Sequence, residues 1–312
     1  MTRVLPHVKW VTDPAPFPTH YEQLLTWPVV LAFVVALAVI GICFWIQHHV
    51  PEPDAMRAFE RFARYGPLAL GLHVGVALIV AAILGLLFVP SLHVHDKGMI
   101  GGVLLVLEGI AGVSILLGLA TRAGAAILAL LGVVATQPFS LEAILEQVPI
   151  LGIAIFLFLI GRGPLSLDRL RRVKAPIQHH LVPMTALGFL RILMGLGIAF
   201  NALTEKLLNE PLARSLIERY PQIALNRLVG LPDEWFIWAA GTTELTIGLV
   251  IMSGQLTRPV MAVGAVLFSV TLFVFGWPEL LGHLPLFGIM FLLFVAPNAD
   301  TGGVRRALRP AA

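Results

Sequence analysis

Two glutamates lie deep in apolar sequence, each followed fourteen residues later by an arginine: Glu108 and Arg122 in EGIAGVSILLGLATR, Glu244 and Arg258 in ELTIGLVIMSGQLTR. An ionisable side chain at membrane depth is costly, so it marks a ligand or proton site unless it is paired for structure alone. Both readings stay open. A functional pair would bind a quinone head group or move its protons, whereas a structural pair would fix helix register. The small residues around both acids, GIAG and GTTELTIG, let helices approach closely and suit the structural case.

Depth suggests the partners. Glu244 lies nine residues past Trp235, about 13 Å from the outer edge of its span, and Arg191 lies seven past Met184, about 10 Å from the inner edge. In a core of about 30 Å that leaves roughly 7 Å along the membrane normal, within reach of an extended arginine. Glu244 is therefore expected to pair with Arg191 and to form the catalytic pair. Glu108 should pair with His73, at matching depth in the first copy, or with a backbone donor.

Other polar residues have narrower roles. Arg122 and Arg258 each follow a threonine at a helix start and read as lipid or topology anchors, with the guanidinium in the headgroups. His283 precedes Pro285 where the first copy has Gln147 before Pro149, so both positions could face a cavity mouth. His93, His95 and Asp96 form an HxHD cluster in a loop, too few ligands to predict a metal site. The pairs His48–His49 and His179–His180 read as polar flanks. His73 is the only histidine clearly inside a span, which argues against bis-histidine haem. Cys43 is the single cysteine, excluding an intramolecular disulfide, a CxxC pair and a cysteine metal cluster. No phosphate loop, nucleophile elbow or HExxH motif points to an ATPase or hydrolase.

The elements that carry these residues are membrane helices. The chain is 58% hydrophobic and 12% charged, with a mean hydropathy of +0.89, far more apolar than a soluble domain. Continuous rather than alternating apolar runs favour helices over a barrel. Nine spans are expected, near 28–47, 67–89, 99–119, 123–138, 147–162, 184–204, 235–253, 258–276 and 280–296, the fourth and eighth being short. The polar, proline-bearing stretch before the first span marks it as a retained helix rather than a signal peptide. With the N-terminus outside and the C-terminus inside, thirteen of the 21 Lys and Arg residues are cytoplasmic and seven external, the positive-inside bias. Basic residues scattered at span ends, with a net charge of only +3, give no nucleic-acid footprint.

A shift of 136 residues carries Glu108 to Glu244, Gly112 to Gly248, Gly118 to Gly254, Arg122 to Arg258, Pro149 to Pro285 and Gly152 to Gly288 without a gap. The fold class is therefore an all-α polytopic membrane protein built from two parallel four-helix repeats, since an even helix number gives both copies one orientation. Residues 1–65 hold the N-terminal segment and first span, 66–175 the first repeat with a basic linker, and 176–312 the second repeat with a basic tail. His73 and Arg191 occupy the opening helices of the two copies. Residues 205–234 read as an amphipathic external segment that lies on the membrane surface or caps the bundle.

The second copy resembles the DoxX-like membrane proteins. The likeness rests on GFLRILMGLGIAFNALTEKL, on ELTIGLVIMSGQLTRP with Glu244, Arg258 and Pro259, and on HLPLFGIMFLLF; it covers 184–297, with 67–162 as a diverged copy in which His73 and Ala123 depart from the pattern. The resemblance implies a four-helix unit and a membrane subunit of a thiosulfate:quinone-type oxidoreductase in the inner membrane, working with a redox partner. Quinone would then sit near Glu244 and Arg191, with His283, Glu108 and His73 as further binding residues. The alternative is a non-catalytic scaffold subunit of a larger respiratory or photosynthetic complex.

Overall fold

Apolar runs in lipid leave the backbone only itself to hydrogen-bond with. The computed structural model describes residues 8–171 and 182–296. Within them the regular structure is helical, apart from one isolated bridge between Leu86 and His93. The basic Arg172 and Lys174, the His179–His180 pair and the tail arginines 305, 306 and 309 lie outside the described residues.

A short α1 (Val8–Val11) precedes α2 (Trp27–His49). The first copy then runs through α3 (Gly66–Ile83), α4 (Gly98–Leu117), α5 (Thr121–Val134) and α6 (Val148–Ile160). The second comprises α7 (Val182–Ala202), a surface helix α8 (Glu210–Arg219), α9 (Asp233–Ser253), α10 (Thr257–Phe275) and α11 (Trp277–Val295).

Among the described residues, five stretches are long and apolar enough to cross a membrane: Trp27–His49, Asp54–Ile83, Gly98–Leu117, Thr185–Leu207 and Asp233–Ser253. The apolar helices Thr121–Val134 and Val148–Ile160 are shorter, and fourteen residues reach only about 21 Å. Their ends explain it. α5 stops before Thr136, Gln137 and Pro138, and α6 is bounded by Pro149 and by Gly161 at φ 78°.

Corresponding features recur at the 136-residue shift. α4 ends at Gly118 (φ 64°) and α9 at Gly254 (φ 77°), and the next helices start from left-handed Ala120 (φ 51°) and Leu256 (φ 46°). Arg122 Nε donates to the Phe158 carbonyl at 3.0 Å, and Arg258 Nε to the Phe294 carbonyl at 2.9 Å.

The copies also interlock. α3 packs on α4, α4 on α5 and α5 on α6; α6 then packs on α7 of the second copy, while α11 closes the ring on α3. Gly152 lies against Leu190 and Leu193 of α7, and Gly288 against Leu70 and His73 of α3. Gly75 likewise faces Leu116, and Gly195 faces Met252. These pairs align the opening helices at a shift of 120, which carries Leu70 to Leu190 and Gly75 to Gly195. The position equivalent to Arg191 is thus Gly71, and His73 corresponds to Leu193, which corrects the pairing of His73 with Arg191 across the copies. The residues that make up the difference between the two shifts fall between α7 and α9, where α8 buries Leu212, Ala213, Leu216 and Ile217 and caps the bundle.

One contact breaks the symmetry. α4 packs along α5, but α9 meets α10 only sparsely and has α2 along its flank instead, where Val29, Ala32 and Ala36 are buried.

Candidate functional site

A cavity of about 150 Å³ in the half of the bundle nearer α1 is lined by α7, α9, α10 and α11, and α9 and α10 touch each other only sparsely. Its apolar wall includes Ile150, Ile198, Leu267, Phe268 and Leu286, and its polar wall Glu146, Glu205, Lys206, Glu244, Glu279 and His283.

Local backbone irregularities place the polar groups. α7 widens past Ala202 into a π turn, Leu203–Leu207, that carries Thr204, Glu205 and Lys206; such turns re-aim side chains within a helix and cluster at functional sites. Lys206 Nζ donates to Glu244 Oε2 at 2.8 Å and lies 3.9 Å from Glu205 Oε2. α11 begins at Trp277 and Pro278, with Glu279 in its first turn, where the positive end of the helix dipole favours a carboxylate. Pro285 lies inside the same helix, lines the cavity and removes one helical N–H donor.

Glu279 is 1% exposed, accepts from Thr271 Oγ1 at 2.5 Å, and has its Oε2 buried without a hydrogen-bond partner. His283 Nδ1 approaches Glu279 Oε1 to 3.1 Å. The imidazole stacks on Phe268 at 4.5 Å between centroids and lies 5.4 Å from Trp10, which fixes its plane against the cavity.

The N-terminal segment forms the mouth. Trp10 covers Gly282, where a Cβ would collide with the indole. Lys9 Nζ donates to Glu142 Oε1 at 2.6 Å and also pairs with Glu146. Thr204 Oγ1 donates to Glu146 at 2.9 Å, and the Val8 N–H donates to Glu205 at 3.3 Å. Burial pushes the Glu146 carboxyl up, with the nearby Glu205 charge adding to it against the pull of Lys9. The surrounding carboxylates hold the Lys9 ammonium above its ordinary value despite burial. Glu142 is held down by hydrogen bonds from Lys9, Tyr21 and Thr19, which outweigh its own desolvation.

The predicted residues divide. Glu244 and His283 share the cavity. Arg191 does not: its guanidinium lies over Gly254, ten residues beyond Glu244 and about 15 Å farther along α9. The depth argument fails because it takes the helix ends as level, whereas the end of α9 is level with a residue nine positions into α7. Lys206 takes the expected place of Arg191 beside Glu244. Glu108, 0% exposed, accepts the Phe88 N–H at 2.7 Å, a backbone donor, while His73 Nδ1 lies 2.7 Å from the Ala69 carbonyl of its own helix.

Arg258 also departs from expectation. It is fully buried rather than in the headgroups, paired with Glu52 and Glu60, because the segment after α2 folds over it. Among the described residues no group of three or more His, Cys, Asp or Glu could hold a metal ion; His93 and His95 belong to the α3–α4 loop, with His95 packed over Gly85. Lys9, Glu146, Glu205, Lys206 and Glu279 were not identified from sequence as site residues. Their one signal was acids and lysines next to span ends, which ordinary interfacial charges share. The chain matches no protein-family model, no curated protein and no solved structure.

Proposed function

We propose that the cavity binds the ring of a membrane-soluble quinone and exchanges protons with its oxygens, and that the protein is the inner-membrane subunit of a quinone-linked oxidoreductase system. One observation carries this reading: within a bundle of apolar helices, a ring-sized space is bounded by apolar side chains on one part and by Glu279, His283 and the Glu244–Lys206 pair on the other. A space of about 150 Å³ is the size that takes one benzene in an engineered cavity. The sparse α9–α10 contact gives a side route from the lipid phase.

The residues then have distinct tasks. Lys206 and His283 donate hydrogen bonds to quinone oxygens, and Glu279 and Glu244 accept or supply protons. Reduction to the quinol takes two electrons and two protons. The electrons come from a partner redox protein or from a sulfur compound such as thiosulfate, two of which join to form tetrathionate. The DoxX-like likeness of 184–297 agrees with this role. The N-out, C-in orientation puts the mouth outside the membrane, and Trp27, Trp235 and Trp238 cluster at that end, where interfacial aromatics belong.

Titration of the purified protein with a short-tail ubiquinone analogue tests the reading. Saturable binding is expected, weakened about tenfold or more in His283→Leu and Glu279→Gln by loss of one buried polar contact. Glu244→Gln should bind but lose quinone-dependent turnover. No saturable binding by the wild type would overturn the proposal and leave the scaffold alternative.

A further inference from the structure

Among the described residues, Glu142, Glu146, Glu205 and Glu244 gather around Lys9 and Lys206, and across the cavity stand Glu279 and His283, with the Thr271 hydroxyl on α10. Neighbouring carboxylates in a low-dielectric site resist ionising together, which favours a proton shared among them.

The members are also ordered in space. Glu142 is the outer one, with 26% of its side chain exposed, and it accepts from Tyr21 at 2.6 Å and Thr19 at 3.0 Å. Lys9, 9% exposed, bridges it to Glu146, 5% exposed. Glu146 shares the cavity wall with Glu205, and Lys206 joins Glu205 to Glu244. We infer that this series is a proton path from the water at the α1 end to the cavity, with Lys9 as its first buried carrier. For its destination the inference rests on the quinone reading; for its existence it does not.

Each step balances. A Lys9 N–H bond breaks as an O–H bond forms on Glu146; the Glu142 carboxylate then takes a proton from water and passes it to the neutral Lys9 amine, which restores both groups. Onward transfer crosses the 3.9 Å between Glu205 and Lys206, too long for a direct hydrogen bond. Glu146, Glu205, Lys206 and Glu244 all line the same cavity, and at about 10–15 Å³ per water its volume admits several bridging molecules. Burial and the Glu205 charge, which together favour a protonated Glu146, agree with a proton resident at the middle of the path. Chains of acidic groups are the usual form of intramembrane proton relays.

The competing role is a plain ionic clamp that pins the N-terminal segment, and arginine separates the two. An Arg at position 9 keeps the charge and the clamp but cannot give up its proton. The experiment follows the protonated-carboxyl infrared band of the full-length protein after transfer to D2O, assigned by its loss in Glu146→Gln or Glu205→Gln. We expect rapid exchange in the wild type, slowed about tenfold or more in Lys9→Arg because its proton is held too tightly to pass on. Glu142→Gln, which removes the outer proton acceptor, should slow it similarly. Exchange at the wild-type rate in a folded Lys9→Arg protein, or in Glu142→Gln should the first variant not fold, would overturn the path. So would the absence of any band lost in Glu146→Gln or Glu205→Gln. No quinone enters the measurement, so failure of quinone binding and failure of the path are read separately.

Discussion

Replacing Arg258 by Met should be far more damaging than the same change at Arg122, although the two occupy equivalent positions. Arg258 is fully buried and donates to Glu52 at 2.7 Å, to Glu60 at 2.7 Å, and to the carbonyls of Phe294 at 2.9 Å and Ala296 at 2.8 Å. Removing it breaks a buried ion pair with Glu52, only 11% exposed, whereas Glu60 at 41% can rehydrate. Removing one partner of a buried pair costs about 3–5 kcal/mol. Arg122 keeps the equivalent bond to Phe158 but is partly exposed, so its loss should cost about 1 kcal/mol. With about 2–3 °C per kcal/mol for a chain of this size, the midpoint for surviving heating in detergent should fall by roughly 6–15 °C in Arg258→Met and by roughly 2–3 °C in Arg122→Met. Adding Glu52→Gln and Glu60→Gln to Arg258→Met should recover part of the loss, because the carboxylate charges that Arg258 offset are gone. Equal shifts for the two arginines, or no recovery in the triple variant, would refute the account of this cluster as a buried charge network.

Three more expectations follow from the same geometry. A double-mutant cycle of Lys206→Met and Glu244→Gln should give a coupling of about 1–2 kcal/mol, as for contacting charges; a coupling near zero would show that the 2.8 Å pair is not formed in the membrane. Because burial raises Glu146 above its ordinary 4.5, the folded state binds the extra proton, and this group's contribution to stability is present at low pH and lost as pH rises through the raised value. Glu146→Gln should therefore gain thermal stability relative to wild type as pH is raised across that window, and a difference independent of pH would contradict it. A Cβ at Gly248 would lie 2.6 Å from the Gly195 carbonyl oxygen and 2.7 Å from the Ala199 nitrogen, backbone atoms that cannot swing aside, so Gly248→Ala should cost about 1–3 kcal/mol in the heating assay.

Much of the helical order was legible because it depends on apolar length and on local stops. The 136-residue shift could be read from Gly118, Arg122 and Pro149 because turn glycines, end arginines and helix-starting prolines act within a few residues of themselves. The shift of the opening helices could not, because their alignment is set by which glycine faces which helix across the ring. The partner of Glu244 was lost for a similar reason. A depth estimate assumes helices with level ends, and the actual partner, Lys206, depends on a π turn that no periodicity announces. Lys9 and Trp10 were less legible still, since they meet the bundle across more than 130 residues of chain.

The divergence of the repeats accounts for the polar lining that the second copy gives this cavity. At the 136-residue shift, Thr271, Glu279 and His283 correspond to Ala135, Ala143 and Gln147, so two of the polar positions that line the second copy are alanines in the first. The first copy also ends its opening helix at Ile83 and runs into Gly85 and Leu86 where the second carries Glu205 and Lys206. Its buried acid keeps a local donor: the loop after α3 turns at Phe88, φ 62°, and delivers that residue's N–H to Glu108. One duplicated acid thus became a loop anchor. The other acquired a lysine from a π turn and a cavity opened by the loosened α9–α10 contact. Glu108→Gln should therefore disturb folding or the α3–α4 loop, whereas Glu244→Gln should leave folding and binding intact and abolish quinone-dependent turnover. Equal effects of both on the turnover of a short-tail ubiquinone analogue in folded protein would mean that the copies still share one function.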